Sequence, residues 1–333
     1  MDSLQDRVDQ VARRCGFSGV VRIDRTGGTE LVAAYGYADR AHRIPNTVDT
    51  QFPTASGTKG LTALVVMRLV ERGALSLETT ARSLLGADLP LVADDVTVEH
   101  LLAHRSGIGD YLEEHGLTVN DYVLSVPVHR LTTTAAYLPL LDGHPTVFAA
   151  DERFAYNNGG YVLLALMAER ATGEGFHDLV RTLVTEPAGM VDTAFLRSDE
   201  LPGRAALGYL AATGGRTHVL HLPVVGSGDG GCYATVADFH ALWEALFAGR
   251  IVSVERVAEM VRPRSDWPEE SERFGLGFHL HETGDAVWLE GYDAGVSFLS
   301  LHQPSTSLTW TVASNWSDGA WPLVTALSGW LDT

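Results

Sequence analysis

The chain has 333 residues, of which 24 are cationic and 42 are acidic, so its formal net charge is −18. A charge of this sign and size argues against binding to nucleic-acid phosphates and favours a neutral or cationic small molecule as the partner. With 45% hydrophobic and 20% charged residues, the composition is typical of a globular protein, and the length allows two domains.

The cysteines and the N-terminal segment limit the class of protein further. Cys15 and Cys232 are too far apart for a metal or redox motif, so both are expected to be free thiols. The segment Met1–Arg14 lacks the continuous apolar stretch of a signal peptide, and no apolar run approaches the roughly 20 residues that cross a membrane. The sequence therefore predicts a cytoplasmic protein without a membrane segment, and it leaves the oligomeric state open.

The N-terminal part predicts a helix, two strands and a second helix. Periodic apolar residues predict an amphipathic helix over residues 3–14. Strand-like runs follow at Gly19–Asp24 and Glu30–Tyr37, with turn residues at 25–28 between them. A strongly apolar helix is then predicted over Ser56–Arg72.

The remainder is mainly helical to about residue 222 and rich in strands after residue 232. The clearest helices of the middle part are predicted at Val98–Ala103, Tyr161–Ala171 and Phe176–Val184. In the last part the predicted elements are a helix at Val236–Phe247, strands at Gly275–His281, Ala286–Leu289, Val296–Leu301 and Leu308–Ser314, and a helix at Leu323–Leu331.

This order of elements predicts a multi-domain α and β fold. Strand-rich segments with a helix at each chain end should form one discontinuous α/β domain, residues 1–62 and 223–333, with an antiparallel sheet flanked by the terminal helices. A mainly helical domain, residues 63–222, would be inserted between them. The active site is expected between the two domains.

The strongest chemical signal is the only lysine, Lys59, in a chain with 23 arginines. Ser56 lies three residues earlier, so on a helix the two side chains share a face. An amine within hydrogen-bond reach of a hydroxyl can accept its proton, whereas a guanidinium in practice cannot. The alternative is a lysine on a solvated face, with Ser56 serving only as a helix N-cap.

A second signal is Tyr156-Asn157-Asn158, just before the apolar helix that begins at Tyr161. On an extended loop Tyr156 and Asn158 would face the same way and offer a phenol for proton transfer and an amide for the substrate or the lysine. The same residues could also serve only as a turn, since two glycines follow them.

Other motifs favour neither a metal nor a cofactor, and none is predicted. The stretch Gly226–Gly231 fits G-x-G-x-x-G, but no repeated strand-helix-strand pattern surrounds it. His100 and His104 have the spacing of a metal-binding pair without an evident third ligand, so a structural pair is the preferred interpretation.

Taken together, the motifs resemble the serine β-lactamase-like proteins, which include class C β-lactamases, DD-peptidases, D-aminopeptidases and family VIII carboxylesterases. The resemblance implies a penicillin-binding-protein-like, β-lactamase/transpeptidase-like fold, with Ser56 as the nucleophile of an acyl-enzyme and proton transfer through Lys59 and Tyr156. The segments that carry it are Ser56-x-x-Lys59, Leu101–Ile108, Tyr156–Asn158, Glu186–Met190 and Gly230–Asp238.

The third motif departs from the family pattern. Where the family has Lys-Thr-Gly or His-x-Gly, this chain has Leu289-Glu290-Gly291, so Leu289 takes the basic position. By position, the oxyanion hole would use the backbone N–H groups of Ser56 and Tyr292, with Leu289, Gly291 and Asn158 as the neighbouring substrate residues. An apolar residue beside an acidic one is poorly suited to a substrate carboxylate.

Ester or amide hydrolysis of a small neutral or cationic substrate is therefore the leading hypothesis, and an acyltransferase is not distinguished from it. The second is a β-lactamase or D-alanyl-D-alanine peptidase that recruits Arg105 or Arg153 for the carboxylate. The third is an inactive binding protein on the same scaffold. For the enzyme hypotheses we expect a lowered pKa of Lys59, caused by burial and by the absence of nearby carboxylates.

Overall fold

The computed structural model describes residues 2–112, 118, 121–268 and 270–331. Its strands are β1 (Gly19–Arg25), β2 (Gly28–Tyr35), β3 (Tyr37–Asp39), β4 (Ile44–Pro45), β5 (Phe52–Pro53), β6 (Tyr233–Ala234), β7 (Ser265–Trp267), β8 (Glu272–Phe274), β9 (His279–His281), β10 (Val287–Asp293), β11 (Val296–Gln303) and β12 (Leu308–Ser314).

The α-helices alternate with irregular connections through the middle of the chain. They are α1 (Leu4–Cys15), α2 (Thr58–Glu71), α3 (Ala81–Leu85), α4 (Val98–Leu102), α5 (Leu138–Leu141), α6 (Asn158–Thr172), α7 (Phe176–Val180), α8 (Glu186–Ala188), α9 (Val236–Phe247), α10 (Val254–Met260) and α11 (Trp321–Leu331).

One large antiparallel sheet is built from both ends of the chain. Its eight strands run in the order β2-β1-β12-β11-β10-β9-β8-β7. The N-terminal hairpin joins the C-terminal strands through β1 and β12, where Val21 lies opposite Val312. An antiparallel sheet flanked by terminal helices was predicted, and the structure has this arrangement.

The two faces of this sheet are covered by different helices. On one face α1 and α11 pack against each other and against the apolar side chains that alternate along the central strands, such as Val21, Leu299 and Val312. The larger core lies on the opposite face, where α2, α6 and α9 pack and where Phe298 and Leu289 point. This alternation is the two-residue period of a strand buried on both faces.

Several elements differ from the sequence prediction. The edge strand β7 and its neighbour β8 are only three residues long, and their charged residues conceal any alternating pattern. The helix predicted to reach Val184 leaves α geometry after Val180 and continues as a π-helical turn. Strand β10 extends to Asp293, beyond the predicted Leu289, because it stays paired with β11 along its whole length.

No helix within the described residues is long and apolar enough to cross a membrane. The division into domains at residues 62/63 and 222/223 stays a prediction.

Candidate active site

Ser56 lies in a short turn that leads directly into helix α2. Residues Ala55–Gly57 form one turn of 3-10 helix, and Ala55 has a left-handed φ of 44°, which an L-residue with a Cβ adopts only at some cost in free energy. Lys59 follows one turn later, and its Nζ lies 2.9 Å from Ser56 Oγ. Because Lys59 is only 3% exposed, the alternative of a lysine on a solvated face does not hold.

Two further acceptors surround the Lys59 amine. Its Nζ donates to Asn158 Oδ1 and to the backbone oxygen of Asp229, both at 2.8 Å. A carbonyl or amide oxygen can only accept hydrogen bonds, so these two contacts use two N–H groups of the lysine. Among the described residues, the Ser56 hydroxyl is the third polar neighbour of the amine, and the lone pair of a neutral Lys59 can face it.

The expectation that no carboxylate lies near Lys59 is wrong. Asp229 is buried and Asp110 is partly buried, and the charge of the lysine acts on both carboxyl groups. Burial raises the pKa of each carboxyl above its ordinary value, and the lysine charge opposes that rise. Asp229 also accepts a hydrogen bond of 2.5 Å from the Tyr111 hydroxyl.

Tyr156 is placed beside the lysine by aromatic stacking. Its ring centroid lies 4.9 Å from Lys59 Nζ, and the ring stacks on His104 at 4.4 Å and on Trp267 at 6.1 Å. His104 Nδ1 in turn accepts the backbone N–H of Asn157 at 3.0 Å. His104 thus links Tyr156 to the start of helix α6.

The two histidines considered for a metal pair make different contacts in the structure. Burial holds the pKa of His104 well below its usual range, so its ring is neutral. His100 Nδ1 accepts the backbone N–H of Thr97 instead. No group of three metal-ligating side chains occurs in the part of the chain that the structure describes.

The residues of the third motif take different positions: Gly291 lies close to the Ser56 turn, whereas Leu289 packs in the core. A Cβ on Gly291 would lie 2.0 Å from the backbone oxygen of Thr54, so glycine is what lets β10 approach the Ser56 turn this closely. Tyr292 and Ser56 line the same cavity, and burial raises the pKa of Tyr292 to about 12. Its hydroxyl donates to Asp318 at 3.1 Å.

Leu289 differs from the prediction, because it is not among the residues that line the cavity. It is 2% exposed and packs on helix α2, where a Cβ added to Gly60 would lie 2.4 Å from Leu289 Cδ2. Glu290 points to the opposite face of the strand, and burial raises the pKa of its carboxyl. The position that is basic in the resembling proteins is thus a core position here.

The cavity at Ser56 encloses about 850 Å³, including its open mouth. Its described lining contains two carboxylates and several aromatic rings but no lysine or arginine. Arg105 instead donates to Asp151 and Ser265, and the guanidinium of Arg153 lies over the Phe148 ring. The described lining also contains Tyr111, His218, Asp229 and Tyr233, which the sequence did not indicate as site residues.

One sequence feature could have indicated the part of the cavity lining that contains Asp229. The glycine-rich stretch Gly226–Gly231 was set aside as a weak nucleotide motif, yet its glycines allow backbone segments to approach closely. A Cβ on Gly228 would lie 2.1 Å from the backbone oxygen of Tyr161 in α6. This packing places Asp229 against Lys59, an arrangement that the motif alone does not predict.

Comparisons with known proteins agree with the fold and with the family resemblance. The family model described as Beta-lactamase matches residues 4–327. The crystal structure of a penicillin binding protein from Bacillus halodurans superimposes with a TM-score of 0.90 at 32% identity, covering 97% of this chain and 99% of that one. The predicted fold class and family resemblance are confirmed.

Two curated relatives carry different names. Putative penicillin-binding protein PbpX of Bacillus subtilis (strain 168) is 26% identical over 82% of this chain and 65% of its own length. Esterase EstB of Burkholderia gladioli is 34% identical over 60% of this chain and 52% of its own length. The chain thus spans between about half and two thirds of the length of these relatives.

Proposed function

Because the chain belongs to the Beta-lactamase family, we propose that it is a serine hydrolase that forms an acyl-enzyme at Ser56 and cleaves small neutral or cationic esters or amides. Esters are the preferred class. The name of the relative EstB agrees with esterase activity.

The observation that carries the proposal is the set of three neighbours around Lys59 Nζ. Asn158 and Asp229 accept from the amine, so the lone pair of neutral Lys59 faces Ser56 Oγ at 2.9 Å. A base at this distance can take the hydroxyl proton as the oxygen attacks. The sole lysine is therefore the proton acceptor of the acylation step.

Acylation and deacylation then follow from the same geometry. Ser56 Oγ bonds to the acyl carbon while its proton passes to Lys59, and the backbone N–H groups of Ser56 and Tyr292 stabilise the oxyanion. The proton passes by way of Tyr156 to the leaving group as its bond to the acyl carbon breaks. Water then attacks the acyl carbon, the bond from this carbon to Ser56 Oγ breaks, a proton from the water returns to Ser56 Oγ, and the carboxylic acid leaves.

The charge of the cavity supports the substrate class. Asp229 and Asp293 belong to its described lining, which contains no lysine or arginine. An anionic substrate would approach these carboxylates, and the described lining offers it no lysine or arginine side chain as a partner. The arginines considered for a penicillin-type substrate, Arg105 and Arg153, contact other groups, so this arrangement favours an esterase over a β-lactamase or D-alanyl-D-alanine peptidase.

Intact-mass measurement tests the proposal with three reagents: a fluorophosphonate, a short-chain p-nitrophenyl ester and a penicillin. We expect a fluorophosphonate adduct and turnover of the ester, both lost in Ser56→Ala, and no penicillin adduct. A stable penicillin adduct at Ser56 would favour the peptidase-like alternative. No adduct and no turnover with any reagent would leave the binding-protein alternative.

A matched substrate pair tests the charge preference. Acetylcholine and its neutral isostere, 3,3-dimethylbutyl acetate, differ mainly in the positive charge. We expect kcat/KM for acetylcholine to equal or exceed that for the isostere. A clear preference for esters with an anionic acyl chain would contradict the assigned substrate class. The cytoplasmic location stays a prediction.

A further inference from the structure

We propose that the Tyr233 hydroxyl is a substrate-binding hydrogen-bond donor, which His218 holds in place and which selects substrates that carry an oxygen acceptor beside the scissile acyl group. This inference rests on the proposed function and adds a specificity-determining residue to it. The acceptor class is an ether, carbonyl or hydroxyl oxygen.

Tyr233 is close to the nucleophile in the fold. In β6 it pairs with Pro53 of β5, three residues before Ser56. Tyr233, His218 and Ser56 all line the same cavity. Tyr233 is only 3% exposed, and together with His218 it forms part of the cavity lining that a bound substrate would contact.

The hydrogen bonds of His218 determine which ring nitrogen carries the proton. The backbone N–H of Gly208 donates to Nδ1 at 3.0 Å. The carbonyl of Gly208, which lies 3.2 Å from the same nitrogen, already accepts the backbone N–H of His218. A proton on Nδ1 would leave the Gly208 N–H buried and facing another donor, which is costly.

The neutral ring therefore carries its proton on Nε2. Burial lowers the pKa of His218 to about 4, so the ring is neutral near pH 7. Nε2 lies 3.1 Å from the Tyr233 hydroxyl oxygen, and the proton on Nε2 makes this nitrogen the donor. Tyr233 Oη is the acceptor of that bond.

This direction leaves the Tyr233 hydroxyl proton available to a ligand. Among the described residues, the only group within hydrogen-bond distance of the Tyr233 hydroxyl is His218 Nε2, which donates to it. The other two tyrosines of the wall differ, because Tyr111 donates to Asp229 and Tyr137 donates to the backbone oxygen of Val225 at 3.1 Å. Burial also raises the pKa of Tyr233, which keeps the hydroxyl protonated.

A buried donor of this kind discriminates by chemistry rather than by size. A substrate that offers an oxygen satisfies it, while a hydrocarbon of the same shape leaves it unpaired. The selectivity for oxygen over methylene should therefore depend on Tyr233. A loss of this selectivity can be distinguished from a loss of the acylation chemistry at Ser56 and Lys59.

The test compares three p-nitrophenyl esters of equal acyl length: pentanoate, ethoxyacetate and β-methoxypropanoate. For each enzyme the ratio of kcat/KM between an ether ester and pentanoate removes differences in overall activity. We expect Tyr233→Phe to lower this ratio about three- to tenfold for at least one ether position, as the loss of one hydrogen bond predicts. Tyr137→Phe, the matched control in the same wall, should leave the ratio unchanged.

Variants of His218 test its role as a positioning residue. His218→Gln keeps an N–H donor for Tyr233 and should retain most of the ether selectivity, whereas His218→Leu should lose it. Imidazole nitrogen chemical shifts should show Nε2 protonated and Nδ1 unprotonated at neutral pH. The opposite tautomer would overturn the inference.

Failure of this inference differs from failure of the proposed function. If the unmodified protein is labelled at Ser56 and hydrolyses the esters, but Tyr233→Phe and Tyr137→Phe show the same ratios, Tyr233 does not select the substrate. If the unmodified protein turns over no ester at all, the proposed function itself fails.

Discussion

The carboxylate of Asp110 accepts the backbone N–H of Asn158 at 2.7 Å, at the first turn of helix α6. It also accepts the backbone N–H of Gly159 at 2.9 Å. Asn158 is the residue whose side chain accepts from Lys59. Asp110 thus stabilises the end of α6 and holds the lysine partner in position, since an anion is favoured at a helix N-terminus.

Asp110→Ala should lower the free energy of unfolding by about 1 to 2 kcal/mol, the usual cost of losing a helix cap. It should also lower kcat for ester hydrolysis, because Asn158 loses its support. Urea denaturation and steady-state kinetics measure the two effects. Asp142→Ala, which removes an exposed carboxylate whose Oδ1 accepts only the neighbouring Gly143 N–H, is the control. Equal effects of both substitutions would contradict the assignment.

Replacement of the sole lysine should distinguish the effect of its positive charge from its role as a proton acceptor. Lys59→Arg keeps a cation but cannot accept the Ser56 proton in practice, so the rate of acylation should fall roughly 10²- to 10⁴-fold. Lys59→Met should be at least as slow. Burst kinetics with a p-nitrophenyl ester measure the acylation step, and Ser56→Ala defines the background. An Lys59→Arg variant that retains normal acylation would rule out Lys59 as the base.

The packing of Leu289 predicts the result of restoring the family's basic residue. Leu289→Lys would bury an ammonium against Gly60 rather than direct it into the cavity, so it should destabilise the fold by several kcal/mol without creating penicillin acylation. Leu289→Met, a swap of similar volume, should cost less than about 1.5 kcal/mol. Thermal denaturation and intact-mass measurement check both results. Penicillin adducts in a stably folded Leu289→Lys variant would disprove this placement.

Glycine is required where β10 passes the Ser56 turn. Gly291→Ala would place a methyl group 2.0 Å from the Thr54 oxygen, so the strand must move away and the oxyanion donor of Tyr292 with it. The loss of one such donor costs about 10²-fold or more in kcat. Gly203→Ala, where an added Cβ meets no atom within 4 Å, should be near neutral in the same assay. Equal activity of the two variants would count against this oxyanion hole.

His218 should make the protein less stable in mild acid. Its pKa is about 4 in the fold against an ordinary 6.5, so between these values the unfolded chain binds the proton more readily than the folded chain. The free energy of unfolding therefore decreases as the pH falls through this window, by about 2 to 3 kcal/mol from His218 alone at about pH 4.5. Urea denaturation at about pH 7.5 and about pH 4.5 should show a smaller decrease for His218→Gln. An identical decrease would show that His218 does not titrate in this way.

Local spacing was enough to predict contacts between residues that are near each other in the sequence. Ser56 and Lys59 meet because three residues separate them at the start of a helix, and the amide of Asn158 contacts the lysine, as one of its two suggested roles requires. An antiparallel sheet built from both ends of the chain was also predicted, from the strand-like runs near each terminus.

Contacts and side-chain positions that depend on long-range packing could not be predicted in this way. Asp229 reaches Lys59 from 170 residues away, and no local pattern specifies that approach. Leu289 was expected at the substrate, but the register between β10 and β11 and the approach of helix α2 turn it into the core. Which face of a strand meets the cavity depends on neighbours that a sequence motif does not contain.

The meeting of Asn158 and Asp229 at Lys59 Nζ has a consequence for the recovery of activity during folding. The partners at positions 158 and 229 lie 99 and 170 residues from the lysine along the chain, so their meeting requires contacts of high sequence separation, which form slowly. A partly folded chain with α2 intact would hold Ser56 and Lys59 together but leave the amine without the two acceptors that direct its lone pair. Recovery of ester turnover after dilution from denaturant therefore reports the completion of tertiary structure, later than the return of helical circular dichroism.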